Sequence, residues 1–195
     1  MERRAPLSYT EIHAAIFDRI RQGHYRPTHR IAIAALAQAL GVSTTPVREG
    51  LRQLAGRDIV VERHREGFYL APLNARAITS LYEAHGHWMD RALLLLGARH
   101  LANRQLRNLW RLFDAVATQS GDPALIAVRR YLDDRLAVVR RHETHRLGDV
   151  ADRGSALAQA LGERDIEAAR GICRAFHVRC AAQAAALAAA FDPPA

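Results

Sequence analysis

The sequence predicts a mostly α-helical protein in two parts, a helical segment that ends in a small β-hairpin and an all-helical bundle after it. Two observations predict this architecture. Apolar residues recur every three or four positions along most of the 195-residue chain, as they do on helices with one buried face. Only the stretch IVVERHREGFYLAPL, residues 59–73, changes to β-branched and aromatic residues around a polar centre. We therefore expect two domains, at residues 1–73 and 74–195.

The first part begins with two helices. Residues 8–22 carry isoleucine at every fourth position from Ile12, which indicates an amphipathic helix capped by Ser8 or Thr10. Gly23 ends it. A short helix is predicted at about 33–40, where alanine and leucine alternate with few polar residues, and Gly41 stops that helix.

A third helix is predicted to begin near Ser43, which is a good N-cap residue. Pro46 falls in its first turn, where the missing N–H of proline costs least. The hairpin follows at residues 59–73, with Gly67 at its turn and Pro72 at its end.

The second part reads as about five helices between residues 75 and 191. Their termini are marked by Asn, Asp–Pro and Gly residues, and a last helix of roughly 25 residues opens at Asp165. The predicted starts are Asn74, Asn103 and Asp122–Pro123, and the predicted stops are Gly148 and Gly162.

Composition excludes several classes of protein. No apolar run reaches the ~20 residues that span a bilayer, and no secretory signal follows the first arginines, so we expect a cytoplasmic protein. Cys173 and Cys180 lie too far apart along one helix for a disulfide, and buried reduced thiols are expected. The net charge is +8 and every basic residue apart from histidine is arginine, which permits nucleic-acid binding without proving it.

The order helix, short helix, turn, helix, hairpin is that of a winged helix-turn-helix, whose last helix enters the major groove of DNA. In residues 44–56 the apolar side chains share one face and leave Thr44, Thr45, Arg48 and Arg52 on the other. The free N–H groups of the first turn suit a phosphate, and Arg48 can read guanine with two hydrogen bonds. Alternatively, Arg48 is a solvated or glutamate-paired helix arginine.

The run LAQALGVSTTPVREGLRQLAGRDIVVERHREGFYLAPL resembles the DNA-binding domain of GntR-family bacterial transcription regulators over about residues 8–73. The TPVRE core carries the resemblance. It implies that Thr45, Arg48 and Gly67 occupy DNA-contact positions, and Arg30 resembles a position that is often basic. With the wing and the helix start, the expected DNA-binding residues are Arg30, Ser43, Thr44, Thr45, Arg48, Arg52, Arg63, His64, Arg65 and Gly67.

Two residues depart from the family pattern. Thr44 stands where relatives usually have arginine, so one phosphate or base contact is absent and the usual operator sequence is not expected. The usual Pro–Gly turn is Pro27–Thr28 here. Neither change removes the expectation of DNA binding.

The helical half resembles the FCD effector domain of the FadR-like branch of this family, at LYEAHGHWMDRALLLLGARHLA and ERDIEAARGICRAFHVRC. Many such domains hold a divalent metal through one aspartate and three histidines. The position of the last histidine ligand is occupied by Phe176, one residue before His177, and the position of a second histidine ligand is occupied by Gly154. Where these domains have an Asp-x-x-x-His pattern, this chain has VRRYLDD. We therefore expect no cofactor, and a divalent metal would need ligands other than the usual set of this domain.

Other residues leave alternatives open for the helical half. His85, Arg130 and His177 are the candidates for binding an effector, which the family resemblance implies is an organic acid or a related metabolite. Arg129 and Arg130 either lie on an exposed helix, paired with aspartates four residues on, or project inward. His142 and His145 could form a two-histidine metal pair, but the polar stretch RRHETHR is expected to be a solvated face. Cys173 and His177 could form a thiol–imidazole pair, but a buried thiol is expected.

The function expected from the resemblance is a sequence-specific DNA-binding transcription regulator, a repressor rather than an enzyme. It is expected to bind a pseudo-palindromic operator as a homodimer and to be controlled by a small organic acid or related metabolite. The alternative is a constitutive or architectural DNA-binding protein with a degenerate sensor domain.

Overall fold

The computed structural model describes residues 7–27, 29–97 and 106–192. The chain forms two compact units, one that contains the described residues up to Leu73 together with Phe191 and Asp192, and one at Asn74–Ala190. The predicted fold class is confirmed: three helices and a two-stranded hairpin come first, and in the described residues after them every element is helical. No helix in the described ranges is long and apolar enough to span a bilayer.

The first unit contains α1 (Tyr9–Arg21), α2 (Ile33–Leu40) and α3 (Thr44–Ala55). Ser8 starts α1 through a reciprocal capping box with Glu11, as one of the two predicted caps. The left-handed conformation of Gly41, with φ of 67°, ends α2 and lets the chain turn into α3.

The hairpin consists of β1 (Val60–Arg63) and β2 (Gly67–Leu70), paired antiparallel with Val61 opposite Tyr69. Gly67 opens β2 with φ of 110°, and Arg65, at the tip between the strands, also has a positive φ of 60°. The segment before α2 joins this sheet, because Arg30 forms a bridge with Tyr69 and the Ile31 N–H donates to Phe68 at 2.8 Å. The hairpin is thereby fixed to the helices of its own unit.

The helical unit begins with a long helix that Asn74 caps through the N–H of Ala77. Asp122 caps a later helix with proline in its first turn, as predicted. The predicted start at Asn103 lies outside the described residues. The helices are α4 (Ala75–Leu96), α5 (Leu109–Ser120), α6 (Pro123–Ala137), α7 (Glu143–Leu147), α8 (Val150–Glu163), α9 (Ile166–Ala182) and α10 (Ala184–Phe191).

Three predictions for this unit were wrong in detail. Gly162 does not stop a helix, because α8 continues to Glu163 and Arg164 takes the left-handed terminal conformation. The last helix of roughly 25 residues is two helices, since α9 ends and α10 begins on either side of Gln183. The described part alone therefore has more than the five helices expected.

Candidate nucleic-acid interface and the interior of the helical unit

Helix α3 displays the residues that the sequence assigned to it. Val47, Leu51 and Leu54 are fully buried, and Thr44 and Arg48 lie one turn apart on the exposed side. The spacing of the apolar residues therefore determines which face remains available to a partner.

The hairpin and α3 enclose a concave surface of about 510 Å³ in which basic side chains predominate. Glu62 is the acidic residue among its lining groups. Such a concentration of positive charge beside an exposed helix face matches the electrostatics of a DNA backbone. Its lining includes the predicted residues Arg30, Arg48, Arg63, His64, Arg65 and Gly67.

The remaining predicted residues lie around this surface. Thr44 shares a neighbouring recess with Arg30 and Arg48. Ser43 and Thr45 line a different depression, beside Gly41 and the start of α1. The Ser43 side chain occupies the N-cap position without capping α3, so its hydroxyl remains available to a phosphate.

Two predicted contact residues already have partners within the protein. Arg52 lies 2.8 Å from Glu49 and 3.7 Å from Glu62, so it connects α3 to β1. Arg63 stacks over the Tyr69 ring at 4.1 Å. Sequence reasoning missed Glu62 and Tyr69, because cross-strand neighbours depend on the register of the hairpin.

Gly67 leaves room for the guanidinium of Arg30. A Cβ atom at this position would lie 2.8 Å from Arg30 Nε, and the φ of 110° is strained for any other residue. The absence of a side chain at Gly67 therefore positions Arg30 against the wing.

We expect Gly67→Ala to lower the affinity for DNA several-fold and to destabilise the hairpin by about 1–2 kcal/mol, since the new methyl displaces Arg30 and the backbone is strained. Fluorescence anisotropy with duplex DNA and thermal melting measure the two effects. Gly56→Ala is the control, because a Cβ there would be 3.5 Å from its nearest neighbour at an ordinary φ. Equal behaviour of the two variants would contradict the role of Gly67.

In the helical unit, the structure brings two of the three predicted effector residues together. His85 on α4 and His177 on α9 are buried, with His85 Nδ1 2.7 Å from His177 Nε2. The His177 Nδ1–H donates to the carbonyl of Cys173 at 2.6 Å. Neutral His177 therefore accepts at Nε2, and His85 donates to it.

Aromatic rings pack around this histidine pair. The His85 ring lies 5.1 Å from Trp110 and 5.5 Å from Phe113 between ring centroids, and Phe113 lies 5.8 Å from Phe176. These side chains occupy the interior of the bundle around both histidines.

Arg130 does not join the pair. It is exposed, whereas its neighbour Arg129 is only 3% exposed and pairs with Asp133 and Asp114. Since successive residues differ by about 100° around a helix, only one of two adjacent arginines can face the interior. Effector binding by Arg130 stays a prediction, and the inward alternative holds for Arg129.

Asp133 links the histidines to a larger buried network. Its carboxylate faces His85 Nε2 at 3.0 Å and accepts a hydrogen bond from Arg140 at 2.7 Å. Burial raises the pKa of Asp133, but His85 and the neighbouring arginines outweigh burial, so the pKa is lowered overall. The Arg140 guanidinium also lies 3.4 Å over the Trp110 ring. Sequence reasoning missed Asp133 as a link between helices.

The stretch RRHETHR is not simply a solvated face. Glu143 is only 2% exposed and accepts from the Tyr82 hydroxyl and from Trp110 Nε1 at 2.8 Å. Burial raises the pKa of Glu143 against the effect of these donors. His142 and His145 do not form a pair on one helix, because a short 3-10 turn ends at His142 before α7 begins.

Acid is expected to destabilise the protein through His177. Burial, with His85 beside it, lowers the pKa of His177 to about 3 from an unfolded value near 6.5. The unfolded chain therefore binds more protons, and stability falls as the pH decreases from 6.5 towards 3. Melting temperatures between pH 7.5 and 5 should fall less for His177→Gln than for the unmodified chain. An identical pH dependence would contradict this assignment.

The residues do not fit the metal site that the resemblance implies. A side chain at Gly154 would meet the Arg107 carbonyl, since even a Cβ would lie 2.0 Å from its oxygen. Both ring nitrogens of His177 are already hydrogen-bonded. In the described ranges no group of three histidine, cysteine or carboxylate side chains is arranged to hold a metal ion.

The thiol–imidazole alternative is also unsupported. Cys173 and Cys180 are buried and unpaired, as expected. Burial raises the pKa of Cys173 to about 12, so a thiolate nucleophile does not form near neutral pH. His177 contacts the backbone carbonyl of Cys173.

Comparison with known proteins connects the first unit to a family. Residues 8–70 match the family model described as bacterial regulatory proteins, gntR family. The chain is 29% identical over 83 residues to the Nta operon transcriptional regulator of Aminobacter aminovorans, covering 43% of this chain and 39% of that protein. It is 31% identical over 75 residues to the uncharacterized HTH-type transcriptional regulator YdhC of Bacillus subtilis (strain 168), covering 38% of this chain and 32% of that protein.

Solved structures resemble nearly the whole chain in fold. E. coli McbR/YncC superposes with a TM-score of 0.73 at 20% identity, covering 92% of this chain and 98% of that one. A GntR transcriptional regulator from Rhodococcus sp. RHA1 gives a TM-score of 0.73 at 19% identity, covering 90% and 96%. At these identities the likeness concerns the fold alone.

Proposed function

Since residues 8–70 match the gntR family of bacterial regulatory proteins, we propose that this chain is a GntR-type transcription regulator, a cytoplasmic, sequence-specific DNA-binding repressor. In this proposal α3 enters the major groove and the hairpin contacts the adjacent backbone or minor groove. An enzymatic role is not supported, because the matched proteins are regulators and the buried thiols are not activated.

One observation carries the proposal. Arg48 is exposed on α3 and lines the same concave surface as Arg30 and the wing tip, Arg65. No ion pair engages Arg48 in the part of the chain that the structure describes, so its guanidinium is available to a guanine edge. A positive wing beside it would meet phosphates or the negative potential of a narrow minor groove.

We further propose that the protein acts as a homodimer on a pseudo-palindromic operator. A two-fold protein presents two identical reading surfaces, and two-fold DNA matches them. The helical unit, of FCD type in this proposal, would supply dimerisation and respond to a small organic acid or a related metabolite.

An unbiased selection of duplexes from a random pool tests the DNA-binding proposal. The full-length chain should enrich one motif with two inverted half-sites. Enrichment of no motif, with binding that depends on salt but not on sequence, would contradict sequence-specific regulation.

A second function is supported by the interior of the helical unit. His85 contacts both His177 and Asp133, and aromatic rings pack around the two histidines. This packing favours a constitutive DNA-binding protein whose sensor domain has lost its ligand. A thermal-shift screen with divalent metals and organic acids separates the two functions, since a ligand that binds only the folded state raises the melting temperature. A ligand that raises it and also releases operator DNA would exclude the constitutive function.

A further inference from the structure

The helical unit carries an open groove of about 610 Å³ along the seam between α4 and α9. The two helices run antiparallel and approach closely at Gly86, where a Cβ would lie 3.0 Å from the side chain of His177. Small side chains line the far end of the groove, at Ala181 and Ala182. A close-fitting surface can therefore reach the backbone of both helices.

The two sides of the groove differ in charge. The α4 side presents Glu83, which is exposed and has no ion pair within the described residues, and Asp90. The α9 side presents Arg170 and Arg174. Arg170 binds Asp90 through two hydrogen bonds, whereas Arg174 remains 3.8 Å from Asp90 with a largely exposed side chain. Among the acidic and arginine side chains that line the groove, Glu83 and Arg174 are thus the least satisfied.

An apolar side chain stands between these charges. Val178 on α9 lines the groove and is 64% exposed. The floor beneath it does not need to rearrange on binding, because His177 is held by His85 and by the Cys173 carbonyl.

We propose that this groove is the surface through which two copies of the chain associate. A two-fold axis parallel to the groove would place the acidic α4 side of each copy against the basic α9 side of the other. Each Glu83 would then pair with Arg174 of the second copy, and Val178 would be buried. The same contact occurs twice, as an isologous interface requires. This inference rests on the homodimer of the proposed function and specifies its surface.

Charge exchange at Glu83 and Arg174 tests the proposal. Sedimentation equilibrium of the full chain measures the dissociation constant of the dimer. Glu83→Arg and Arg174→Glu should each raise it by about tenfold or more, because each creates two like-charge contacts. The double variant, and an equimolar mixture of the two single variants, should recover association, since both restore opposite charges at each contact.

Matched controls exclude a general effect of charge. Asp152→Arg on α8 and Arg130→Glu on α6 change exposed residues outside the groove and should leave the dissociation constant unchanged. Circular dichroism confirms that each variant folds. Val178→Asp provides an independent variant, which should also weaken association.

The outcomes separate this inference from the proposed function. Single variants that remain as tightly dimeric as the unmodified chain would overturn the groove as the interface while leaving the homodimer intact. An unmodified chain that is monomeric and binds its selected DNA as a monomer would overturn both the groove and the homodimer. Weakened single variants with recovery in the double variant support the proposal.

Discussion

Replacing Arg48 with alanine is expected to remove the selectivity of the protein for its operator. A bidentate arginine–guanine contact contributes ~1–3 kcal/mol of discrimination, which is roughly 5- to 150-fold per half-site. The exposed guanidinium on α3 lines the basic concave surface with Arg30. Without it, the protein should bind the selected operator and a scrambled duplex with similar affinity.

The measurement is a titration of both duplexes at two or more salt concentrations. Arg65→Ala gives the contrasting result, because a backbone contact at the wing tip should weaken binding to every duplex and reduce the salt slope by about 1. Arg21→Ala, on α1 and paired with Asp18, should change neither quantity. Retained selectivity in Arg48→Ala would disprove the assignment of α3 as the recognition helix.

The second large effect is expected at Gly154 in the helical unit. A Cβ at this position would lie 2.0 Å from the Arg107 carbonyl oxygen and 3.2 Å from the Leu109 nitrogen. Both neighbours are backbone atoms, so rotation of a side chain cannot relieve the overlap. Gly154→Ala should therefore destabilise the protein by about 2–4 kcal/mol.

Urea denaturation followed by circular dichroism measures this loss. Gly162→Ala is the matched control, because it lies in the same helix with no atom within 4 Å of its Cβ position. That variant should be unchanged or slightly stabilised, since alanine is the better helix residue by up to about 1 kcal/mol. Unfolding of both variants at the same urea concentration would contradict the close packing of Gly154 against the backbone of Arg107.

Local signals predicted most of the first unit. The capping box at Ser8, the left-handed Gly41 and the apolar spacing of α3 act within a few residues, and the structure has all three. The hairpin was predicted from the change in the spacing of apolar residues and from the glycine at its turn. The pairing of Arg52 with Glu62 did not follow, since it joins two elements that only the folded chain brings together.

The helical unit was less predictable because its polar residues pair over long separations. Arg129, Glu143 and His177 are polar residues in polar or Ala-rich stretches, and each is buried. Their partners lie on other helices, so sequence periodicity indicates a solvated face where the fold provides a network. Arg129 and Arg130 could not be distinguished, because the hydrophobic pattern of α6 is weak.

The sequence predicted three helices followed by a hairpin, and an exposed face of α3 that carries Thr44 and Arg48. It did so because capping, periodicity and turn chemistry are local. The contacts of His85 with both His177 and Asp133, and the position of Glu83 and Arg174 along one groove, are set by the folded chain alone. These relations depend on the packing of helices far apart in the chain, which local spacing does not specify.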